Sequence, residues 1–331
     1  MTVIRSTTPA QFLTLVPRLL GYTPTRSLVV IPFTGTRSTG AMRVDLPAHP
    51  DQHRHAAHVL AGLLCRIPDA DGLVAVIYDT RSSDEHSALM GEIERQAHAC
   101  GLTVLDRLSV TDDGYGRVGE TRQPLTDLTP VTVAGKTPNE ADQHSASGLP
   151  APEPDLLAAA LRVDIAPVFH DRDAFTAMVE RVATGDDLDA YLFAFVMTAC
   201  ERPSHRDILL VGILGGPDQT HRAWDAQAAW ENGADYPADI ARVMWGEGPR
   251  PRVARLCNLD QTLRRVAATA DRTLPGALAT LGWVAWALGH STAAADFTAA
   301  SLTAQPGHGL AEIVDTFVNA GHLPDWAFIK N

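Results

Sequence analysis

Hydrophobic positions in the first third of the chain switch repeatedly between the period of a helix and that of a strand. Phe12, Leu15 and Val16 share one face after a capping signature at Thr8, which predicts an amphipathic helix that ends at Gly21. The predicted strands are 27–33, 42–46, 72–78 and 102–110, and further helices are predicted over 50–64 and from Ser82 to Gly101. The first two strands form a predicted hairpin, and strands that alternate with helices indicate a layered α/β domain.

A polar segment and a proline-rich segment separate the two halves of the chain. Residues 112–130 are rich in Gly, Asp and Thr, and are predicted to form a long loop. A capping pattern from Thr137 to Glu140 predicts a short helix that stops at Gly148. The run 149–154 contains three prolines and cannot continue a helix, so the domain boundary is predicted there.

Helical spacing dominates the second half of the chain. Asp186 is predicted to cap a helix that continues to Cys200, and residues 253–270 hold the spacing of another. The apolar run 208–214 fits either a strand or a buried helix, and its helical neighbours favour a helix. Residues 275–308 have the length of one tetratricopeptide unit, with small residues where two antiparallel helices need to approach closely.

These patterns predict two domains, which the length of 331 residues accommodates. Residues 1–150 are expected to form an α/β domain with a small mixed sheet and flanking helices. Residues 151–331 are expected to form an all-α, tetratricopeptide-like domain with the repeat-like hairpin near 275–308. Hydrophobic residues make up 45% of the chain, so each domain can bury a core without metal or disulfide staples.

The charge balance and the cysteines restrict the class of protein further. With 27 basic and 39 acidic residues the net charge is −12, which disfavours binding to nucleic acids and to anionic membranes. The four cysteines form no CxxC pair, so neither a disulfide framework nor a zinc knuckle is expected. No signal peptide and no apolar run of membrane-spanning length is visible, which predicts a cytoplasmic protein.

Several blocks of the sequence resemble a known family. Leu20-Gly21-Tyr22, Ser27–Val30 and Arg43–Pro47 resemble the opening of an actinobacterial family known as domain of unknown function 4192. Arg206-Asp207 resembles a later block of that family. The end of the chain resembles the closing block of that family at Pro306, His308, Ala311, Gly321 and Pro324. The resemblance implies a similar architecture over most of the chain and implies no activity. It also implies an aromatic- and Cys-rich stretch after the fourth strand, and residues 112–130 contain no Cys and no Trp.

Four histidines crowd the start of the second predicted helix: His49, His53, His55 and His58. On a helix, His55 and His58 share a face with Asp51, and this set of ligands suits a divalent metal ion such as zinc. The alternative is a solvated polar face, opposite an inner face that carries Ala57 and Leu60.

Polar residues follow the predicted strand 72–78. Asp79 ends this strand, and Ser82 and Ser83 lead into the next helix. Ligands gather at the carboxyl ends of strands in open parallel sheets, and a helix N-terminus favours anions. These three residues are therefore candidate ligand-binding residues for a Mg-nucleotide or a phosphorylated molecule. No GxGxxG or GxxxxGK[ST] loop accompanies them, and Ser82 is equally explained as a helix cap.

Two charged pairs are further candidates for ligand binding. Arg43 and Asp45 project from the same face of the strand 42–46, where they either present charge to a ligand or form an ion pair. Arg206 and Asp207 stand near the start of a predicted helix. They either bind a ligand there or stabilise the helix start, because their charges interact with the helix dipole.

Two hypotheses for the function follow from the whole sequence. No GxSxG elbow and no activated cysteine is present, so no catalytic residue and no cofactor is assigned, and enzymatic activity stays open. The leading hypothesis is a non-enzymatic protein-interaction or adaptor protein, which binds a protein partner with its helical half through Trp283, Trp286 and Trp326. Core packing is the alternative role of these tryptophans. The second hypothesis is a small-ligand or nucleotide-binding protein or a hydrolase, with its site near Asp79. A homo-oligomer is compatible with both.

Overall fold

The chain folds into two compact units, Met1–Ala146 and Ser147–Ile329. The computed structural model of the protein describes residues 6–128, 147–269 and 273–329. The short helix that the sequence predicts after Thr137 falls outside the described residues.

The first unit is built on a mixed sheet of six strands. In chain order the strands are β1 (Ser27–Thr34), β2 (Arg37–Ser38), β3 (Met42–Asp45), β4 (Gly72–Tyr78), β5 (Thr103–Thr111) and β6 (Gly114–Arg117). Across the sheet the order is β2-β1-β4-β5-β6, and β3 also pairs with β1. Strands β4 and β5 are parallel, and the other pairs are antiparallel. The predicted mixed sheet and the predicted pairing of its first two long runs are confirmed.

Three helices cover the faces of this sheet: α1 (Pro9–Leu20), α2 (His53–Cys65) and α3 (Ser87–Ala99). Helices α2 and α3 share one core with Leu28 and Ile77, whereas α1 packs on the opposite face against Val29 and Val76. Because β1 and β4 are covered on both faces, their sequences are continuous apolar runs instead of alternating ones.

The helices of the first unit begin near the predicted residues, but one predicted cap is absent. The hydroxyl of Thr8 accepts a hydrogen bond from a main-chain N–H in the first turn of α1, and Gly21 ends that helix with φ of 85°. The segments that begin at Pro50–Gln52 and Ser83–His86 are short 3-10 helices that lead into α2 and α3. The side chain of Ser82 makes no capping hydrogen bond, contrary to the capping role considered for it.

Residues 112–130 are not one long loop, because β6 lies within them and pairs with the end of β5. The strand escapes prediction because two of its four residues are glycines, which have low strand propensity. Gly114 is required there: its φ is 124°, and a Cβ atom would collide with the carbonyl oxygen of Gln123.

The regular elements of the described residues 147–329 are helices, as predicted. They are α4 (Pro154–Ala160), α5 (Arg172–Thr184), α6 (Ala190–Cys200), α7 (Pro203–Gly215), α8 (Pro217–Glu231), α9 (Ala238–Val243), α10 (Val253–Ala267), α11 (Pro275–Ala287), α12 (Ser291–Ala304) and α13 (Gly309–Asn319). The ambiguous run 208–214 lies in α7. None of the described helices combines the length and the apolarity that crossing a bilayer requires.

The predicted cap of α6 is wrong by one turn. Asp189 is the capping residue, since its carboxylate accepts a hydrogen bond of 2.7 Å from the N–H of Leu192. Asp186 instead accepts from the hydroxyl of Thr184 and pairs with Arg181 at the end of the preceding helix. Both aspartates precede the same apolar run, so the sequence pattern alone does not distinguish them.

The repeat-like hairpin near 275–308 consists of α11 and α12. Helix α11 is buried on all sides, and Gly282 allows α12 to approach it closely. A Cβ atom at Gly282 would lie 2.7 Å from the Cγ2 atom of Thr298. The small residues that the sequence places in this hairpin therefore act as predicted.

Trp283, Trp286 and Trp326 are core residues with at most 5% exposure, so their predicted role as exposed anchors is wrong. Each indole N–H donates to a main-chain carbonyl, at 3.0 Å, 2.7 Å and 3.0 Å respectively. Burial of a tryptophan requires such a partner for its N–H. The alternative of core packing is therefore correct.

Candidate functional site

Asp79 lies buried at the carboxyl end of β4. Its own N–H continues the pairing with β5 by donating to the carbonyl of Val110. The carboxylate is only 2% exposed, and it accepts a hydrogen bond of 2.7 Å from Nε of Arg81 and one of 2.9 Å from the N–H of Thr80. Asp79 is thus a buried anion that holds Arg81 at the surface above it.

His86 is the second buried polar residue at this strand end. Its side chain is 4% exposed, and its Nε2 atom lies 3.1 Å from Oδ2 of Asp79. The Asp79 carboxylate is thus the polar neighbour of this inaccessible ring nitrogen, although the contact does not have the geometry of a regular hydrogen bond. Burial lowers the pKa of His86, and the nearby Asp79 carboxylate opposes this effect only in part.

A cleft of about 200 Å³ opens beside these residues, between the β3–α2 and β4–α3 connections. We call it the strand-end cleft. Its polar wall is formed by His49, His53, Arg81, Glu85 and His86. Its apolar wall is formed by Leu46, Pro47, Ala48, Pro50 and Leu89. The wall therefore contains one arginine, three histidines and the carboxylate of Glu85, and the buried carboxylate of Asp79 contacts both Arg81 and His86.

Two helix starts converge on the strand-end cleft. The segment that leads into α2 begins at Pro50 and the segment that leads into α3 begins at Ser83. The side-chain oxygen of Gln52 accepts from the N–H groups of Ala48 and His49, which fixes the first of these starts. The partial positive charge of both helix starts adds to that of Arg81 and favours an anion.

The loops behind the cleft are fixed by a separate hydrogen-bond network. The hydroxyl of Ser82 donates to Asp113 at 3.1 Å, and the buried hydroxyls of Ser83 and Ser109 share a hydrogen bond of 3.0 Å. A hydrogen bond from the Thr111 hydroxyl is the main reason why the pKa of Asp113 lies below its usual range. The two predicted serines are thus bonded to the β5–β6 region of the fold.

Arg122 completes this network from the segment after β6. Its Nη2 atom donates to the carbonyls of Gly114 and Ser109 and to the hydroxyl of Thr111, at 2.6 Å to 3.1 Å. Burial lowers the pKa of the guanidinium, and Asp113 lies 3.6 Å from Nε. These contacts hold the turn between β5 and β6 in place behind α3.

A profile of the family described as "Domain of unknown function (DUF4192)" matches residues 9–191, which is more than half of the 331 residues. The chain belongs to this family. The match contains every residue of the strand-end cleft and reaches into α6. Arg206, Asp207 and the closing residues that resemble the family lie beyond the matched region. No curated protein matches the chain, and no solved structure does.

In this DUF4192 chain, Arg43 and Asp45 form the ion pair that the sequence offered as one of two interpretations. Nη2 of Arg43 donates to Asp45 at 2.6 Å, and Nε donates to the buried hydroxyl of Ser27 at 2.7 Å. The arginine side chain is 6% exposed and the aspartate side chain 82%. The residue that follows Asp45 is Leu46, in the apolar wall of the cleft, so the pair lies beside the cleft and outside its wall.

Arg206 and Asp207 belong to the second unit and form an ion pair of 2.8 Å within α7. Burial raises the pKa of Asp207, and the neighbouring guanidinium opposes this effect. Both residues lie in the first two turns of α7, which begins at Pro203. The DUF4192 strand-end cleft and this pair are therefore in different units of the chain.

Asp51, His55 and His58 are all exposed, at the start and on the outer face of α2. Among the described residues no group of three His, Cys, Asp or Glu side chains is arranged to hold a metal ion. In the part of the chain that the structure describes, Asp51, His55 and His58 are therefore not arranged as the three ligands of a metal ion.

The sequence interpretation identified Asp79 but missed Arg81 and His86, with which it forms the site. The signal was a polar segment, Asp79 to His86, directly after a buried strand. The predicted histidine cluster includes His49 and His53. These two histidines line the cleft, whereas His55 and His58 do not. Tertiary packing decides which of these histidines face the neighbouring loop, and the local sequence pattern carries no information about that packing.

Proposed function

We propose that the strand-end cleft binds a small anionic ligand that carries a phosphate or carboxylate group. The observation that carries this proposal is Arg81, which stands in the wall of the cleft together with three histidines while its Nε atom is held by the buried carboxylate of Asp79.

The size and the charge of the cleft support the same class of ligand. Its volume of about 200 Å³ is below the ~300–1,000 Å³ of pockets for drug-sized molecules, so it suits a small ligand or one group of a larger molecule. Arg81 and the two helix starts supply positive charge, and Glu85 is the one carboxylate in the wall. A guanidinium binds phosphate and carboxylate groups through charge-assisted hydrogen bonds.

Binding is favoured over nucleophilic catalysis at this cleft. The hydroxyls of Ser82 and Ser83, which are nearest to Asp79 in sequence, are both hydrogen-bonded to neighbouring side chains. The adaptor hypothesis stays a prediction, but it loses the argument from Trp283, Trp286 and Trp326, because these residues are buried.

The proposal is tested by isothermal titration calorimetry of the full chain with inorganic phosphate and with succinate. We expect saturable binding of one of the two anions by the wild type. Arg81→Gln should weaken it at least tenfold, since a hydrogen bond to a charged group contributes about 1.5–3 kcal/mol. His86→Gln should weaken it as well.

Matched controls are available on α3. Arg95→Gln removes the same charge from an exposed arginine that pairs with Glu92, and His98→Gln changes an exposed histidine near the end of the helix. Both controls should bind like the wild type. If the wild type binds neither anion, the proposal is wrong, and if Arg81→Gln binds like the wild type, the anion binds elsewhere.

A further inference from the structure

Helices α2 and α3 run parallel to each other on one face of the sheet. Strands β3 and β4 are both antiparallel to β1, and β4 is parallel to β5, so each helix connects two parallel strands and returns in the same direction. The two helices pack together through residues such as Leu60, Leu64 and Ile93. Their C-terminal ends therefore lie next to each other at one edge of the sheet.

Each of these two helix ends carries a cysteine. Cys65 is the last residue of α2, and Cys100 directly follows the last residue of α3. Both side chains are exposed. The Cys100 thiol lies close enough to that of Cys65 to raise the pKa of Cys65, and partial burial acts in the same direction. The two cysteines are 35 positions apart in the sequence, so their proximity follows from the packing of α2 against α3 and not from a local motif.

The other two cysteines provide a contrast. Cys200 is buried in α6, and burial raises its pKa to about 12. Cys257 is partly buried in α10, and burial raises its pKa as well. Because a thiol reacts as its thiolate and needs access to the reagent, neither is positioned like the exposed pair.

We infer that Cys65 and Cys100 form a reversible disulfide, which a peroxide closes and a dithiol reductant reopens. In the first step one sulfur attacks an oxygen of hydrogen peroxide, the O–O bond breaks, and a sulfenic acid and one water are formed. In the second step the other sulfur attacks the sulfenic sulfur, the S–O bond breaks, and the second thiol proton leaves with the hydroxyl group as water. Two thiols and one peroxide thus give one disulfide and two waters.

The position of the pair predicts the pH dependence of the reaction. Cys65 lies at the C-terminus of α2, where the partial negative charge of the helix disfavours a thiolate. The raised pKa of Cys65 likewise means that its thiolate is disfavoured. Closure of the disulfide should therefore be slow at neutral pH and should accelerate as the pH rises above the ordinary thiol value of about 8.5.

The test uses the native full chain, hydrogen peroxide and quantification of free thiols, followed by peptide mapping without reduction. The chain contains four cysteines, and we expect two to lose their reactivity, with a linked peptide pair that contains Cys65 and Cys100. The intact mass should fall by two hydrogen atoms, and dithiothreitol should restore both thiols.

Serine variants separate this pair from the other cysteines. Cys65→Ser and Cys100→Ser should each abolish the loss of two hydrogen atoms and leave a sulfenic acid on the remaining cysteine, which dimedone traps. Cys257→Ser should form the same linkage as the wild type. Thermal melts followed by circular dichroism establish that each variant is folded. The inference is overturned if the wild type gains only oxygen atoms, if peroxide leaves the number of free thiols unchanged, or if the linkage joins other cysteines or two chains.

Discussion

At the scale of single residues, the clearest dependence on one residue type is found at Gly246. Its φ is 82°, and a Cβ atom there would lie 2.6 Å from Cβ of Pro324 and 2.8 Å from the ring of Trp286. Gly246 thus combines a left-handed backbone with close approach to the tryptophan core. Neither constraint is visible in the sequence, where Gly246 stands between Trp245 and Glu247.

Replacement of this glycine should destabilise the second unit. Gly246→Ala is expected to lower the free energy of unfolding by about 3 kcal/mol, since overpacking adds ~1–3 kcal/mol to the ~1–2 kcal/mol of a left-handed backbone. Gly233→Ala is the matched control, because Gly233 has φ of 91° and nothing within 4 Å of a Cβ atom. Urea denaturation measures both, and an equal loss in the two variants would contradict the predicted collision.

At the scale of secondary-structure elements, the buried strands and the amphipathic helices are the features that the sequence predicts best. β1 and β4 are apolar runs of strand length with no competing interpretation, and α1 has a cap, one apolar face and a terminal glycine. The features that escape prediction depend on partners distant in sequence. β6 is held by the end of β5, and His86 acquires its role only where it meets Asp79 and the strand-end cleft.

Three helices of the second unit are joined by one arginine. Arg255 of α10 forms two hydrogen bonds with the carboxylate of Glu180 in α5, at 2.6 Å and 2.9 Å. It also donates to the carbonyls of Gly212 and Ile213 near the end of α7. These carbonyls belong to the last turn of α7, and that of Gly212 also accepts from the N–H of Gly216. Arg255 thus connects the end of α7 with α5.

Loss of this arginine should therefore affect the packing of all three helices. We expect Arg255→Met to lower the free energy of unfolding by about 2–3 kcal/mol, somewhat less than the ~3–5 kcal/mol of a fully buried pair, because Glu180 remains partly exposed. The exposed Arg252 of the same region provides the control Arg252→Met, which should be close to neutral. Chemical denaturation of both variants makes this comparison, and equal stability of the two would show that the contacts of Arg255 contribute nothing.

At the scale of the whole molecule, buried and half-buried histidines link stability to pH. Burial is the main reason why the pKa lies below its usual value at His86, His205 and His308. The folded state therefore prefers these imidazoles neutral. His205 is surrounded by the rings of Phe169, Phe175 and Trp224, and its Nδ1 atom is buried without a hydrogen-bond partner among the described residues.

Stability should accordingly fall as the pH falls below the ordinary histidine value of about 6.5. In that range the unfolded chain binds protons that the folded chain does not bind. The free energy of unfolding therefore decreases as the pH falls from ~6.5 toward the lowered histidine pKa values of the folded state. Urea midpoints at several pH values, followed by circular dichroism, measure the effect. His205→Gln should reduce the slope, and a midpoint that is constant or rises on acidification would contradict the prediction.

The packed tryptophan core of the second unit has a consequence for spectroscopy. All six tryptophans of the chain lie between residues 224 and 326, and none lies in the first unit. Intrinsic indole fluorescence therefore originates in the helical unit alone, and its change during denaturation follows the unfolding of that unit. Unfolding of the sheet needs a second probe, such as a tryptophan introduced into the first unit.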